Sequence, residues 1–513
     1  MSESVAASGT ESADTESAPT LRRTLGRYQV LIYGLGSMLG AGIYALIDDV
    51  ARLLGSMVWA AFATAMVGAL LTGLTYASLG SRYAKAGGAA YITGRACRSP
   101  LISYVVGLAV MMSGLTSMAT GTQAMGETLI KASQERSGTF QPATGPGTVD
   151  SAKASPWVKP LAIGVVALLG LILLKGIRES MWANLICTAV EAGGLLFIIA
   201  VGMQFWGSRS LFDLPDPPAA VQVSQVVAAP VPSPAAAPAA TPDSAMPIFM
   251  LLLNGALLTF FSFIGFEDIL NVSEECKHPR VDVPFGLIGA MLMATVIYIA
   301  VAITAVSVIP HEQLAGSSSP LMDVARAAAP WFTGIGGIYL VVTLFAIGNT
   351  ALLNYLMGSR LLYGMSRQGL LPAPLGRVSA KTRTPVVAIG VLLVIVSLLI
   401  LLANVAQLAK ATVLLLLGVF VLMNVALVIL KRRPEEKRGG FEIPTIIPVL
   451  GAIVCTALIV AELARPFRKR GGPEWNDFTS VFIALGVVAA AAVLYAILRP
   501  DPAVMTEDRA DAA

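Results

Sequence analysis

The feature that most constrains this chain is the recurrence of long stretches without a charged side chain. Positions 28–47, 53–81, 99–126, 160–174, 181–206, 245–266, 283–310, 327–359, 384–409, 411–430, 443–461 and 478–498 are predominantly apolar, and of these twelve only 181–206 contains a charge, Glu191. A helix crosses the hydrocarbon of a bilayer with about 20 apolar residues. The segment 160–174 is short, but Lys159 and Lys175 flank it and can snorkel to the interfaces. The pattern predicts an all-α integral membrane protein with twelve transmembrane helices. Composition agrees: 13% of the residues are charged, half the roughly 25% that covers a water-facing surface.

Several classes are excluded. The net charge of +4 is small and its basic residues are scattered, so no nucleic-acid partner is expected. The two histidines, His278 and His311, and the four cysteines are far apart in sequence, so neither a metal site nor a cofactor is expected. The first twenty residues lack the basic start and apolar centre of a signal peptide.

Lysine and arginine set the orientation. With the N-terminus cytoplasmic, Arg22, Arg23, Arg27, Arg82, Lys85, Arg95, Arg98, Lys277, Arg280, Arg360 and the run 431–438 all fall inside, and the outer loops hold fewer, four of them in the 465–470 cluster. Both termini are then cytoplasmic, as an even number of helices requires, and the expected location is a plasma membrane, of the bacterial inner-membrane kind. The expected organisation is a disordered tail over 1–24, helices one to five over 25–206, a proline- and alanine-rich external loop over 207–245, helices six to ten over 246–430, a cytoplasmic loop with helices eleven and twelve over 431–498, and a cytoplasmic tail over 499–513. A second external loop is expected over 132–156, and a tight turn near Lys410. The basic run 431–438 reads as a solvated cytoplasmic loop in preference to a lipid-binding patch.

Two spans are unlike the rest. The first contains Gly34, Gly36, Gly40 and Gly42 within nine residues, and each glycine weakens a helix by about 1 kcal/mol relative to alanine. The sixth carries Gly265 followed by Glu267 and Asp268. Broken backbone in a bilayer is tolerated only where it meets protein or water. A half-helix N-terminus there attracts a carboxylate, and matching breaks in the two halves of a chain point to a transport site. Close packing through Gly36-x-x-x-Gly40 is the competing explanation. Glu191, Glu267 and Asp268 lie at membrane depth, where acids mark pathways, relays or ion pairs. Capping of loose amides by Glu267 and local pairing of Glu191 compete with a transport role for each.

At these residues the chain resembles the amino acid–polyamine–organocation family, specifically its bacterial amino acid permeases. The similarity rests on Gly40-Ala41-Gly42-Ile43-Tyr44, on Ala84-Lys85-Ala86-Gly87-Gly88-Ala89-Ala90-Tyr91, on the series Phe263, Gly265, Phe266, Glu267, Glu274, Glu275, Lys277, Pro279 and Pro284, and on the segments 359–372 and Thr384-Pro385. The resemblance implies a five-plus-five inverted-repeat fold of the leucine-transporter type with two additional C-terminal helices, helices one and six broken, and alternating access. It implies that a substrate carboxylate meets the amides of Ala41, Gly42 and Ile43 beside Gly40. The substrate amino group would meet carbonyls near Ser37 and Met38 and near Phe260, Phe261, Phe263, Ile264 and Gly265. Phe263 or Phe266 would gate the site. Ser113 and Asn349 would complete the wall, with Met112 and Ser117 nearby, and Thr350 stands with Glu191, Glu267 and Asp268 as an ion- or proton-coupling candidate. Gly42→Val is expected to block binding in a folded chain. Where proton-coupled relatives can carry a lysine in helix five, Asn184 and Thr188 are here followed by Glu191, so proton, sodium, exchange and uncoupled modes stay open.

The expected function is secondary transport of amino acids, with proton-coupled symport first. An amine, polyamine or amino acid exchanger is the alternative, and a non-transporting sensor comes last. The expected partners are a small amino acid or amine, the bilayer and protons. An enzyme is not expected, since no nucleophile, metal or histidine constellation lies within the spans.

Overall fold

A computed structural model describes residues 25–84, 88–142, 150–174, 181–214, 248–270, 272–367, 371–379, 384–436, 438–464, 467 and 475–498. The two terminal tails, most of the 207–245 loop, Lys85 to Gly87 of the second family-like motif, Lys437 and nearly all of the 465–470 cluster lie outside the described residues, as do the side chains of Ala41 and Asn184.

The described chain is helical, with no β-strand among its residues. The helices are α1 (Arg27–Met38), α2 (Ala41–Leu54), α3 (Val58–Arg82), α4 (Gly88–Cys97), α5 (Pro100–Ser137), α6 (Val158–Leu174), α7 (Met181–Gly202), α8 (Ile248–Phe263), α9 (Pro279–Val308), α10 (His311–Gly316), α11 (Pro320–Ala328), α12 (Ile335–Arg367), α13 (Val386–Leu402), α14 (Val405–Arg432), α15 (Ile446–Ala464) and α16 (Thr479–Leu498). Nine helical stretches of the described residues are long and apolar enough to cross a membrane, and Val158–Leu174 and Val386–Leu402 are shorter apolar helices. Helix is the form that satisfies every backbone amide and carbonyl within its own segment, as lipid demands. Large side chains such as Val296, Leu402 and Ile497 are exposed on the outer faces of these helices, where lipid replaces water. The chain is a multi-pass membrane protein.

Two apolar cores organise the bundle. One gathers α1, α2, α3, α8, α9 and α14, and the other gathers α5, α6, α12 and α13. Helix α5 packs against both α12 and α14, so it stands between the two cores. Helix α14 is mostly buried, whereas α15 and α16 are peripheral and largely exposed.

Several expected boundaries are corrected. The turn placed near Lys410 falls instead at Ala403 and Asn404. Asn404 caps α14 by accepting from the amide of Gln407 at 2.9 Å while Gln407 returns a bond to the Asn404 amide. Lys410 is buried within α14, its ammonium 3.6 Å from Glu462 of α15, so pairing lets a charge sit inside a helix that a charge-free window would have ended. The loop expected from 132 is helical to Ser137, where Gly138 closes α5 in the left-handed conformation. Glu127 and Lys131 extend that helix because both are buried by neighbouring segments. The long second span divides at Gly55–Met57, leaving Leu53 and Leu54 in α2. The eighth span begins at Ile335, and residues 320–328 form the separate helix α11.

Candidate functional site

The first apolar span is interrupted where the glycines predicted. Helix α1 ends at Met38, the amide of Leu39 still donating to the carbonyl of Leu35 at 2.8 Å, and Gly40 precedes α2. The amides of Ala41, Gly42 and Ile43 therefore open a helix and have no intrahelical acceptor, at the positive end of the α2 dipole.

The second interruption follows Phe263. The amide of Ile264 donates to the carbonyl of Phe261 at 3.2 Å, and Gly265 turns with φ +123°. Glu267 and Asp268 were expected to begin the second half of helix six, and the structure corrects this. They lie in a one-turn 3₁₀ segment, Phe266–Leu270. The acids themselves compete for the backbone there: the amide of Gly265 donates to Glu267 Oε2 at 2.9 Å. Asp268 Oδ2 accepts from the Ser37 hydroxyl at 2.9 Å, which ties the end of α1 to the break after α8.

Other helices lock the two interruptions together. The Tyr298 hydroxyl of α9 lies within hydrogen-bonding distance of the carbonyls of Met38 and Ser262, at 2.5 and 2.9 Å. A Cβ on Gly40 would run into the Thr350 hydroxyl of α12, and one on Gly36 into the Thr188 hydroxyl of α7. A Cβ on Gly42 would stand 2.5 Å from Ser262 Cα. Gly42 is thus required by backbone contact between α2 and α8, and Gly42→Val would part those helices before it filled a ligand's space. The structure brings together Ser37, Met38, Gly40, Gly42, Gly265, Asp268 and Thr350.

The phenylalanines are occupied elsewhere. Phe260 and Phe266 face Phe420 of α14, Phe266 also meets Tyr76, and Phe263 packs edge-on to Tyr298. Phe263 and Phe266 are fully buried, so neither stands as a free flap in this conformation. Ser113 is buried and returns its hydroxyl to the Val110 carbonyl at 2.7 Å. Asn349 lies on α12 immediately before Thr350.

Glu191 stands apart from this knot. Helix α7 packs against α1, α9, α11 and α12. Glu191 is completely buried, and neither of its carboxylate oxygens has a hydrogen-bond partner among the described residues. The hydroxyls of Thr188 and Tyr44 are likewise buried and unpartnered there, and Tyr44 and Tyr298 lie within electrostatic reach of Glu191. Sequence reasoning missed Tyr298, Tyr44 and Ser262. The only signal available for Tyr298 was a hydroxyl in the middle of an apolar span.

Two interrupted helices, cross-bonded inside a polytopic bundle, define a membrane transporter by architecture. Residues 25–492 match the family model described as amino acid permease, and the chain belongs to that family, whose members are transporters and not enzymes. It is 28% identical over 460 residues to a branched-chain amino acid permease of Bacillus subtilis (strain 168), covering 87% of this chain and 90% of that one. It is 23% identical over 487 residues to a methylthioribose transporter of the same organism, covering 91% and 93%. A chloroplastic cationic amino acid transporter of Arabidopsis thaliana is 26% identical over 365 residues, which span 71% of this chain and 58% of that protein.

Proposed function

We propose that this permease moves amino acids across the plasma membrane by alternating access, with the solute held between the two helix breaks. The observation that carries this reading is the opening of α2 beside the end of α8. In this reading the amides of residues 41–43 that open α2 receive the carboxylate, and carbonyls near the end of α8 receive the ammonium group. In this reading α1 with α2 form one broken span, and with α3, α5–α9 and α12–α16 they make twelve spans. The first ten are arranged as a five-plus-five inverted repeat. The site comprises Ser37, Met38, Gly40, Ala41, Gly42, Ile43, Phe260, Phe261, Phe263, Ile264 and Gly265, with Ser113 and Asn349 in its wall.

Both termini face the cytoplasm. Exposed Trp157, Trp206, Trp331 and Trp475 all lie at helix ends opposite Arg27 on this threading, as an interfacial aromatic belt would. Arg82, Arg95, Arg280 and Lys431 share the other face.

Coupling is to protons through Glu191. A buried carboxyl without a counter-ion is a natural carrier of protons, and its place against α1 and α12 lets its charge bias the position of the broken helix. Glu267, Asp268 and Thr350 act locally, as caps and contacts of the breaks.

The test is uptake of a panel of labelled amino acids into proteoliposomes, with and without an inward proton gradient. Gradient-stimulated uptake is expected. Uptake only into preloaded vesicles would replace symport by exchange, and no uptake of any amino acid would overturn the reading.

A further inference from the structure

The outer mouth of the bundle, at the face opposite Arg27, carries an imbalance of charge. Asp48 and Asp49 at the end of α2, Glu127 near the end of α5, and Asp150 and Lys153 of the following connection come together there. Arg52 is the second cation within reach of Asp48, and its guanidinium is engaged by the Ala315 carbonyl of α10 at 2.5 Å. Asp150 is satisfied by the amide and hydroxyl of Ser318, at 2.8 and 2.7 Å. Lys153 contacts Asp48 directly and lies 4.0 Å from Asp49. Burial opposes the charge on Lys153, but Asp48, Asp49 and Glu127 outweigh it and hold the ammonium above the ordinary lysine value.

Glu127 is the residue this arrangement leaves over. It is 8% exposed, makes no hydrogen bond among the described residues, and lies within electrostatic reach of Lys153, Asp48, Asp49 and Asp150. It also ends a line of buried polar side chains on one face of α5, Ser113, Thr116, Thr120, Gln123 and Glu127. Their spacing of three or four residues keeps them aligned, so the line runs from the level of the candidate substrate wall to the mouth.

We propose that Asp48, Asp49 and Glu127 form an entry subsite for an organic cation, an ammonium or guanidinium group of a basic amino acid, and that Lys153 is its tethered occupant, displaced as the solute enters. The inference rests on the permease reading and extends it to a substrate class. The geometry suits an organic cation better than a metal, since among the described residues no three acidic, histidine or cysteine ligands converge as a metal would need. Lys153 sits on the connection between α5 and α6, with its side chain 16% exposed, so in this proposal only its long side chain need swing aside. Its departure leaves Glu127 and Asp48 facing the incoming charge at the head of the polar line.

The experiment is thermal-shift titration of the purified full-length protein with L-arginine and L-leucine, for wild type, K153M, E127Q and K153M/E127Q. K153M is expected to strengthen arginine binding about threefold or more, because a tethered competitor is removed, with leucine unchanged. E127Q removes no hydrogen bond found among the described residues, so it is expected to fold. It is expected to weaken arginine binding about threefold by loss of one facing charge, and to cancel the gain in the double variant. Equal arginine affinity in wild type and K153M with leucine binding intact would overturn the subsite and leave the permease reading standing. A gain in K153M that survives E127Q would also overturn it. Should K153M not fold, unchanged arginine binding in E127Q alone overturns it equally. Absence of amino acid binding in every variant would overturn the permease reading, and the subsite with it.

Discussion

Gly265→Ala isolates the geometry of the second break. Gly265 has φ +123°, a backbone region that costs a non-glycine residue about 1–3 kcal/mol. Its added Cβ would stand 2.6 Å from the Ser37 carbonyl oxygen and 2.7 Å from the Ser37 carbonyl carbon. Those atoms belong to the backbone of α1, which cannot swing aside as a side chain would, and such overpacking costs about 1–3 kcal/mol more. The two effects act at one place and sum to about 2–6 kcal/mol. The Ser37–Asp268 hydrogen bond lies across the same contact, so the strain falls on the link between the two breaks. Unfolding of the purified protein by SDS titration in mixed micelles reads the stability, and proteoliposome uptake reads the site. A stability change under about 0.5 kcal/mol, the range of an ordinary surface substitution, would refute the argument that only glycine fits.

Three further outcomes are expected. Lys410→Met should destabilise the bundle by about 1–3 kcal/mol by removing the cation 3.6 Å from buried Glu462, and Glu462→Gln in the same chain should restore most of the loss. An additive double variant in the same SDS titration would dissolve that pair. Glu191→Gln should flatten the pH dependence of uptake, and an unchanged profile would return Glu191 to a purely structural part. Glu442, in the connection between α14 and α15, is opposed by burial but held below the ordinary glutamate value by Arg82 and the Gly439 amide. A depressed value means that its contribution is complete above about 4.5 and is lost as pH falls through the lower folded value. Glu442→Gln should therefore speed hydrogen exchange at Gly439 at neutral pH, at a stability cost of about 1 kcal/mol because Glu442 itself is 34% exposed, whereas the wild-type segment should loosen only in acid.

Hydrophobic run length is a local property, so the sequence alone determined that this chain spans a membrane by helices and which two spans break. Gly40 and Gly265 marked the breaks because their backbone demands are local too. Boundaries failed where a charge is hidden by a distant partner: Lys410 reads as a helix end until Glu462 is packed beside it, and the charge-free window stops before Glu127 although α5 continues through the buried Glu127 and Lys131 to Ser137. The basic run 431–438, read as a solvated loop, instead begins as the last turn of α14 with Lys431 and Arg432, and Arg433 then caps the carbonyls of Arg95 and Ala96 at the end of α4. Tertiary structure alone decided what each site residue meets. Ser37 and Asp268 are 231 positions apart, and nothing local to either predicts their bond. Nor could sequence say that Gly42 abuts Ser262, that Tyr298 bridges the two breaks, or that Glu191 is buried on a helix packed against α1 and α12. Those facts depend on which faces of packed helices adjoin, and a helix carries its periodicity in its sequence but not the identity of its neighbour.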